Sequence, residues 1–156
     1  MNLHGLSREK AMLYGLPHIG AHYTHNGRKW KKSGARKYER TQEWCFVCGR
    51  PARNCHHVVP ISNGQVFELD TPNGSWPLRS PLFALCGSGT TGCHGGFHAR
   101  RLTARWAWDE PEFEDMWWDG ELLSRYPPHS PALYCYGRWE IEDRETGRII
   151  TIRERV

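Results

Sequence analysis

The residues of this chain that are best suited to chemistry are cysteines and histidines, and they fall into two groups. The first group is Cys45-x2-Cys48 together with the adjacent pair His56 and His57. The second group reads Cys86-Gly-Ser-Gly-Thr-Thr-Gly-Cys93-His94-Gly-Gly-Phe-His98. Two pairs of cysteine thiolates can saturate a tetrahedral zinc ion. The histidines that are left over, an adjacent pair and two residues four apart, are typical of a hydrolytic metal site. The spacing therefore predicts two metal sites interleaved along the chain.

Composition limits the classes of protein to which the chain can belong. The 156 residues, with 38% hydrophobic residues and 8 tryptophans, are enough for one domain with a substantial core. The sequence has no apolar run of roughly 18 residues, and its first residues do not resemble a signal peptide, so we expect a cytoplasmic protein with no membrane partner. In a reducing compartment, six cysteines are expected to be metal ligands or free thiols rather than disulfides.

The net charge of +4 is unevenly distributed along the chain. Lys and Arg outnumber Asp and Glu by nine to three in residues 1–44 and by six to two in residues 45–105, whereas Asp and Glu lead by twelve to six in residues 106–156. The most basic stretch supplies six candidate nucleic-acid contacts, namely Arg28, Lys29, Lys31, Lys32, Arg36 and Lys37. Such a run can follow a phosphate backbone while Trp30 and Tyr38 pack against sugar or base. A solvated connector is the alternative interpretation of the same run.

Turn residues and hydrophobic patterns indicate the elements that position the two groups. Ser7 is expected to cap a short helix that continues through Tyr14. We predict short β-strands within residues 55–60, 66–69 and 82–85, a proline-rich loop over residues 70–81, and a helix that begins near Cys93. Because histidines four residues apart share one face of a helix, His94 and His98 could bind the same ion.

The last third of the chain is predicted to contain one helix and a β-hairpin. Asp109 is expected to be the N-cap of the helix, with Glu112 as its capping-box partner. The hairpin is expected to pair residues 132–142 with residues 148–152. Cys135 would then lie in the first strand of the hairpin, where we expect it to belong to the core.

The sequence contains other residues that resemble metal ligands less closely. His18, His22 and His25 are spaced like ligands, although a Gly-rich segment of this kind is more often plain surface. Cys55 directly precedes the histidine pair, and we expect it to be a buried free thiol.

Taken in order, these motifs resemble the HNH nuclease family in its zinc-stabilised form, which is found in bacteria and phages. The residues that carry the resemblance are Cys45-x2-Cys48, His56-His57-x2-Pro60, Leu85-Cys86 and Cys93-His94-x3-His98. It implies an α+β protein with a ββα-metal core in residues 45–105, organised by a structural zinc. On this interpretation, residues 1–44 are a basic N-terminal arm with a short helix, and residues 106–156 are an acidic extension with a helix and a β-hairpin.

The resemblance also implies a role for individual residues. His57 would be the general base, and a catalytic divalent cation (Mg2+, Mn2+, Ni2+ or Zn2+) would be bound by His56, His94 and His98. The structural Zn2+ would be held by Cys45, Cys48, Cys86 and Cys93. Phosphates could be clamped by Arg100, Arg101 and Arg105, for which a solvated helix face is the alternative.

The activity implied by the resemblance is hydrolysis of phosphodiester bonds in DNA, by nicking or by double-strand cleavage, with RNA as an alternative substrate. A phage-encoded member would act in the cytosol of the bacterial host, and a phage packaging protein is a conceivable partner.

One position departs from the family pattern. An Asn that orients the general base normally lies five residues before the first Cys of the second pair, and this chain has Pro81 there. Ser80 or Asn73 would have to take its place, or His57 is held less firmly. The alternative function is therefore a zinc-organised DNA-binding or phage-assembly module whose nuclease centre is weakened or inactive.

Overall fold

The structure of the chain is a computed structural model, which describes residues 3, 5–23, 38–60 and 66–153. Its helices are α1 (Arg8–Leu13), α2 (Gly92–His98), α3 (Pro111–Trp118) and α4 (Glu121–Arg125), with a 3-10 helix at Pro131–Cys135. Its strands are β1 (Ala21–Tyr23), β2 (Tyr38–Arg40), β3 (Asn54–His57), β4 (Val66–Thr71), β5 (Gly74–Arg79), β6 (Leu82–Leu85), β7 (Leu102–Trp108), β8 (Gly137–Asp143) and β9 (Ile149–Ile152). The mixed α+β class that the sequence predicts is confirmed.

The helices are short. The hydroxyl of Ser7 accepts a hydrogen bond from the Lys10 N–H at 3.2 Å, so the predicted cap of α1 is confirmed. The helix itself ends at Leu13, and Tyr14 is its C-cap. The longest of the described helices, α3, has 8 residues. Among all the described residues, no helix has both the length and the apolar character needed to cross a membrane.

The β structure consists of small antiparallel sheets that pack on one large hydrophobic cluster and on a smaller one that includes Ala21 of β1 and Leu82 of β6. β1 pairs with β2, β3 with β6, β4 with β5, and β8 lies between β7 and β9. A single cluster of buried side chains includes Tyr14 near the N-terminus, Phe83 in β6 and Trp139 in β8. The rings of Phe83 and Trp139 meet edge to face with their centroids 5.1 Å apart. The N-terminal, central and C-terminal parts of the described chain therefore pack together.

Strands β3 and β6, with helix α2 after them, form the unit that carries the candidate ligands other than Cys45 and Cys48, which precede it. His56 lies opposite Phe83 and His57 opposite Leu82 in the β3–β6 ladder. All four residues of β6 are buried, as predicted for this strand. The turn into α2 needs Gly87, whose φ is +84° and where a Cβ would lie 2.1 Å from the carbonyl oxygen of Thr91. The predicted strand at residues 82–85 and the predicted helix start near Cys93 are both confirmed.

The prediction of a loop over residues 70–81 is wrong, because β4 and β5 form a hairpin there. The turn is closed by Thr71, whose hydroxyl accepts from the Asn73 N–H at 3.1 Å and donates to the Gly74 carbonyl at 2.8 Å. Pro77 lies within β5, opposite Glu68. A two-stranded hairpin tolerates this proline because each of its strands has an edge without a pairing partner. The three prolines of this segment were therefore misleading.

Strand β7 was not predicted, and it changes the environment of the candidate phosphate-binding arginines. The chain leaves α2 through Arg100, whose φ of 61° lies in the left-handed region. It then enters β7, where Arg105 lies directly opposite Glu140 of β8. Arg105 is therefore a strand residue with a cross-strand acidic neighbour rather than part of a helix face.

Three further predictions for the C-terminal third are wrong in detail. Strand β8 begins at Gly137, because the preceding residues form the 3-10 helix, and Cys135 in that helix is exposed rather than part of the core. The N-cap position of α3 is Glu110, which forms no side-chain capping bond. Asp109 bonds instead to Arg138 and Arg153, so charge pairing between strands takes the place of the predicted capping box.

Replacing Asp109 by asparagine is expected to lower the free energy of unfolding by about 1–2 kcal/mol near neutral pH. Asp109 accepts hydrogen bonds from Arg153 at 2.7 Å and Arg138 at 3.2 Å, and the Arg153 bond holds the pKa of this carboxyl below its usual range. This stabilisation is present above the ordinary aspartate pKa and is lost as pH falls through the lowered value. Urea denaturation should therefore show a difference between wild type and Asp109→Asn that shrinks in acid. Asp115→Asn, at an exposed position on α3, is the control and should change little at either pH.

Candidate metal centres

The four paired cysteines converge on one point. Their sulfur atoms all lie within 4.8 Å of one another, and all four thiols are free. Cys48 and Cys86 have sulfurs 3.5 Å apart, close to the about 3.8 Å expected for two thiolates bound at about 2.3 Å to a tetrahedral zinc. Cys45, Cys86 and Cys93 are buried and Cys48 is exposed. This cluster could hold a metal ion such as zinc.

Local backbone structure explains how residues so far apart in sequence reach this point. Cys45 and Cys48 occupy a tight turn in which the Gly49 N–H donates to the Cys45 carbonyl at 2.9 Å. Cys86 directly follows β6, and Cys93 lies in the first turn of α2. The Cys93 N–H points at the Cys86 sulfur at 3.4 Å, an interaction that favours the thiolate. Burial raises the pKa of the Cys93 thiol and so disfavours its thiolate. A bound cation would have the opposite effect, because a metal binds the thiolate form.

The six residues between Cys86 and Cys93 form a compact loop that keeps both cysteines in place. The Ser88 N–H lies 3.1 Å from both the carbonyl and the hydroxyl oxygen of Thr91. The His94 N–H then donates to the Cys86 carbonyl at 3.0 Å. These bonds close the loop on itself, so its length does not displace Cys93 from the other sulfurs.

A second convergence joins three of the four histidines that the sequence singled out. His56 of β3 and His94 and His98 of α2 each offer a ring nitrogen, and these atoms lie within 4.8 Å of one another. The Nε2 atoms of His94 and His98 are 3.1 Å apart. Two nitrogens bound at about 2.0–2.1 Å to a tetrahedral ion would be about 3.3–3.4 Å apart. The geometry of these three side chains therefore fits a single cation.

The surroundings of His56 and His94 favour their neutral, ligating form. His56 is 8% exposed, and burial, followed by the nearby positive charges of His94 and His98, lowers its pKa to about 3. Burial also lowers the pKa of His94. A neutral imidazole is the form that binds a metal. The Nδ1 atom of His94 is buried and no described residue forms a hydrogen bond with it, although the second nitrogen of a ligating histidine is usually paired.

His57 lies next to this cluster and does not belong to it. Consecutive side chains of a strand point to opposite faces, so His57 is directed away from the face that carries His56. Its ring packs against Tyr38, with centroids 4.8 Å apart and planes at 85°, and lies 6.2 Å from the ring of Tyr23. Its Nε2 atom is buried and has no hydrogen-bond partner among the residues that the structure describes. Burial lowers the pKa of His57.

Among the described residues, neither side chain considered as a substitute for the family Asn forms a hydrogen bond with His57. The Ser80 hydroxyl accepts from the Val59 N–H at 2.8 Å, and the amide group of Asn73 donates to the Asp119 carbonyl at 2.7 Å. Both side chains are therefore engaged with the backbone elsewhere.

Two of the three candidate phosphate-binding arginines are already paired with carboxylates. Arg101 contacts Asp143 at 3.1 Å, and the Arg105 guanidinium donates to Glu140 at 2.7 Å. Arg100 is exposed. The six basic residues predicted to contact nucleic acid (Arg28, Lys29, Lys31, Lys32, Arg36 and Lys37) lie outside the described residues. The acidic C-terminal third thus neutralises part of the positive charge near α2.

No protein-family model, curated protein or solved structure matches this chain.

The structure also reveals a histidine pair that sequence reasoning missed. His18 was predicted to be surface, but it stacks on His129 with ring centroids 4.0 Å apart. The His18 Nδ1 atom accepts from the Leu82 N–H at 2.9 Å, and the His129 Nδ1 donates to the Leu16 carbonyl at 2.7 Å. His22 is partly exposed beside Glu39, and His25 lies outside the described residues. The pair is formed by residues 111 positions apart that belong to no local motif, so spacing carries no signal for it.

Cys55 is only partly buried, so the prediction of a buried thiol at this position is too strong. It lies in β3 opposite Ala84, and burial raises its pKa. Cys55 is not part of either candidate metal cluster.

Proposed function

We propose that this chain is a metal-dependent endonuclease of the HNH type, which hydrolyses phosphodiester bonds in DNA. The observation that carries the proposal is the convergence of His56, His94 and His98. His57 follows His56 directly on β3. The order of elements supports it, because an antiparallel strand pair is followed by a helix and the cysteine cluster lies where β6 meets α2. RNA is the alternative substrate.

Each group has a distinct task in this proposal. The sulfurs of Cys45, Cys48, Cys86 and Cys93 would hold a structural zinc that joins the Cys45 turn to the start of α2. His56, His94 and His98 would hold a divalent cation, which supplies electrostatic stabilisation of the charge that develops on the phosphate and on the leaving 3′ oxygen. His57 would accept a proton from the attacking water. Because burial lowers its pKa, His57 is neutral near pH 7 and can accept that proton.

Cleavage of supercoiled plasmid tests the proposal. The wild-type protein is expected to nick the plasmid with at least one of Mg2+, Mn2+ and Ni2+, and His57→Ala should reduce the rate by about 10²–10⁴-fold, the usual contribution of a positioned general base. His22→Ala is the matched control, because His22 is partly exposed and pairs with Glu39 outside the cluster. The proposal is lost if the wild type fails to nick with every ion, or if wild type and His57→Ala nick equally fast.

A second candidate function is a zinc-organised DNA-binding or assembly module with a weakened nuclease centre. The observation that favours it is the enclosed Nε2 atom of His57, which no described residue bonds. The pairing of Arg101 and Arg105 with carboxylates points the same way, since it reduces the charge available to phosphates. A protein that retains DNA in a filter-binding assay and binds a cation at the three histidines, without nicking, would match this function.

A further inference from the structure

The side chains that surround the His57 ring are aromatic. The position that carries Asn in the family is Pro81, and the side chains of Ser80 and Asn73 are bonded elsewhere. The side chains that do contact the His57 ring come from a different part of the chain, the β1–β2 hairpin. His57 is therefore held by packing rather than by an amide.

The His57 ring packs against a pair of tyrosines, Tyr23 and Tyr38. Tyr23 and Tyr38 are direct partners in the β1–β2 ladder, and their rings meet edge to face with centroids 5.5 Å apart. The Tyr38 ring stands at 85° to the His57 imidazole at 4.8 Å. A perpendicular aromatic contact at this distance is favourable, and rotating the imidazole would disrupt it. The ring plane of His57 is thus tied to the position of Tyr38.

Tyr23 of this pair is bound to Arg79 and Ser80, the residues that directly precede Pro81. The Tyr23 hydroxyl donates to the carbonyl of Ser80 at 2.6 Å, and the guanidinium of Arg79 lies over the Tyr23 ring at 5.1 Å. Burial raises the pKa of Tyr23, so its hydroxyl stays protonated and remains a donor.

The same segment also fixes the backbone that follows His57. The Ser80 hydroxyl accepts from the Val59 N–H at 2.8 Å, and the Pro81 carbonyl accepts from the Val58 N–H at 3.0 Å. Ser80 and Pro81 therefore fix the backbone that follows His57. Ser80 also fixes Tyr23, whose ring packs near the His57 ring.

We propose that Tyr38, supported by Tyr23, is a positioning residue that holds the His57 imidazole in its working orientation in place of the family Asn. This inference rests on the proposed nuclease function, because it assigns Tyr38 a role only through His57. Tyr38 acts by its ring, so phenylalanine at this position should serve and an aliphatic side chain of similar bulk should not.

Kinetics of plasmid nicking by Tyr38→Leu and Tyr38→Phe tests the inference. Tyr38→Leu is expected to lower kcat about tenfold or more while KM for plasmid stays within about twofold, because orientation of the base affects the chemical step and not DNA binding. Tyr38→Phe should restore most of the lost rate. Tyr23→Phe, which removes only the bond to Ser80, should lower kcat by a smaller factor. Equal values of kcat in Tyr38→Leu and wild type, with His57→Ala inactive, would overturn the inference and leave the proposed function standing.

An NMR measurement keeps the inference testable if the wild type does not nick. The ring protons of His57 lie within the ring current of Tyr38, so their chemical shifts should move in Tyr38→Leu and stay close to the wild-type values in Tyr38→Phe. Shifts unchanged in Tyr38→Leu would show that Tyr38 does not hold the imidazole, whatever the activity. Melting curves of the zinc-loaded variants identify any loss of rate that is due to unfolding.

Discussion

Cys86→Ser is expected to lose its bound zinc and to unfold the region around β6 and α2. Cys86 is 6% exposed, and its sulfur accepts the Cys93 N–H as well as lying beside Cys48. Structural zinc sites contribute about 10 kcal/mol or more of apparent binding free energy, and most of that is folding free energy when no site exists in the unfolded chain. Zinc content by mass spectrometry should fall by about one ion per chain, and far-UV circular dichroism should show lost structure.

Three variants make this result specific. Cys135→Ser removes an exposed cysteine outside the cluster and should keep the zinc. His98→Ala changes the second cluster and should also keep the cysteine-bound zinc, since its ring nitrogen belongs to a different group of ligand atoms. Cys48→Ser should lose zinc as Cys86→Ser does, although the exposed Cys48 lets water take its place more easily. Unchanged zinc in Cys86→Ser would mean that the four sulfurs do not bind it together.

The part-buried pair of His18 and His129 is expected to make the fold sensitive to acid. Burial is the main reason that the pKa of His18 falls to about 2, and the charges of His129 and His22 add to it. Burial also lowers the pKa of His129 to about 4, with the hydrogen bond to Leu16 opposing the shift and the charge of Arg79 adding to it. Because both folded values lie below the unfolded value of about 6.5, the unfolded chain binds more protons and stability is lost as pH falls below that value. Each histidine removes about 1.4 kcal/mol per pH unit until its folded pKa is reached.

A double variant, His18→Asn with His129→Asn, measures how much of the loss of stability in acid comes from this pair. In His18→Asn, the asparagine oxygen can accept the Leu82 N–H, and in His129→Asn the amide can donate to Leu16. Asparagine also tolerates the left-handed φ of 65° at position 129. Between about pH 7 and pH 5, urea denaturation should show wild type losing about 2–4 kcal/mol more than the double variant. His56, His57, His94 and His98 are common to both proteins, so equal losses would show that the fold does not hold the pair in its neutral form.

The candidate metal ligands could be predicted from sequence because ligand spacing is a local property. Cys45 and Cys48 are joined by one turn, and His94 and His98 by one turn of helix, so their proximity follows from backbone geometry alone. That His56 reaches the same helix depends on the β3–β6 pairing, which the resemblance supplied. The buried β6 could also be predicted, because an uninterrupted apolar tetrad has few other environments.

The features that were missed depend on contacts between distant parts of the chain. Tyr23 and Tyr38 are brought together by the pairing of β1 with β2. These strands are far enough apart in sequence that no local pattern predicts their pairing. The proline-rich β5 is a strand because an edge of the hairpin accommodates Pro77, a condition that composition does not reveal. Arg105 faces Glu140 only because β7 pairs with β8 in that register. Charge counts identified an acidic third, but not which cations its carboxylates neutralise.

The pairing of arginines with the acidic C-terminal strands has a consequence for counterions. A cation that neutralises a DNA phosphate releases a condensed counterion, and the logarithm of the affinity falls by about 0.9 for each such phosphate per tenfold rise in salt. Arg101 and Arg105 would first have to leave Asp143 and Glu140, whose charge then needs its own counterions. An exchange of this kind releases fewer ions than a free arginine does. The slope of DNA affinity against salt would therefore be shallower than the basic composition of residues 1–105 suggests.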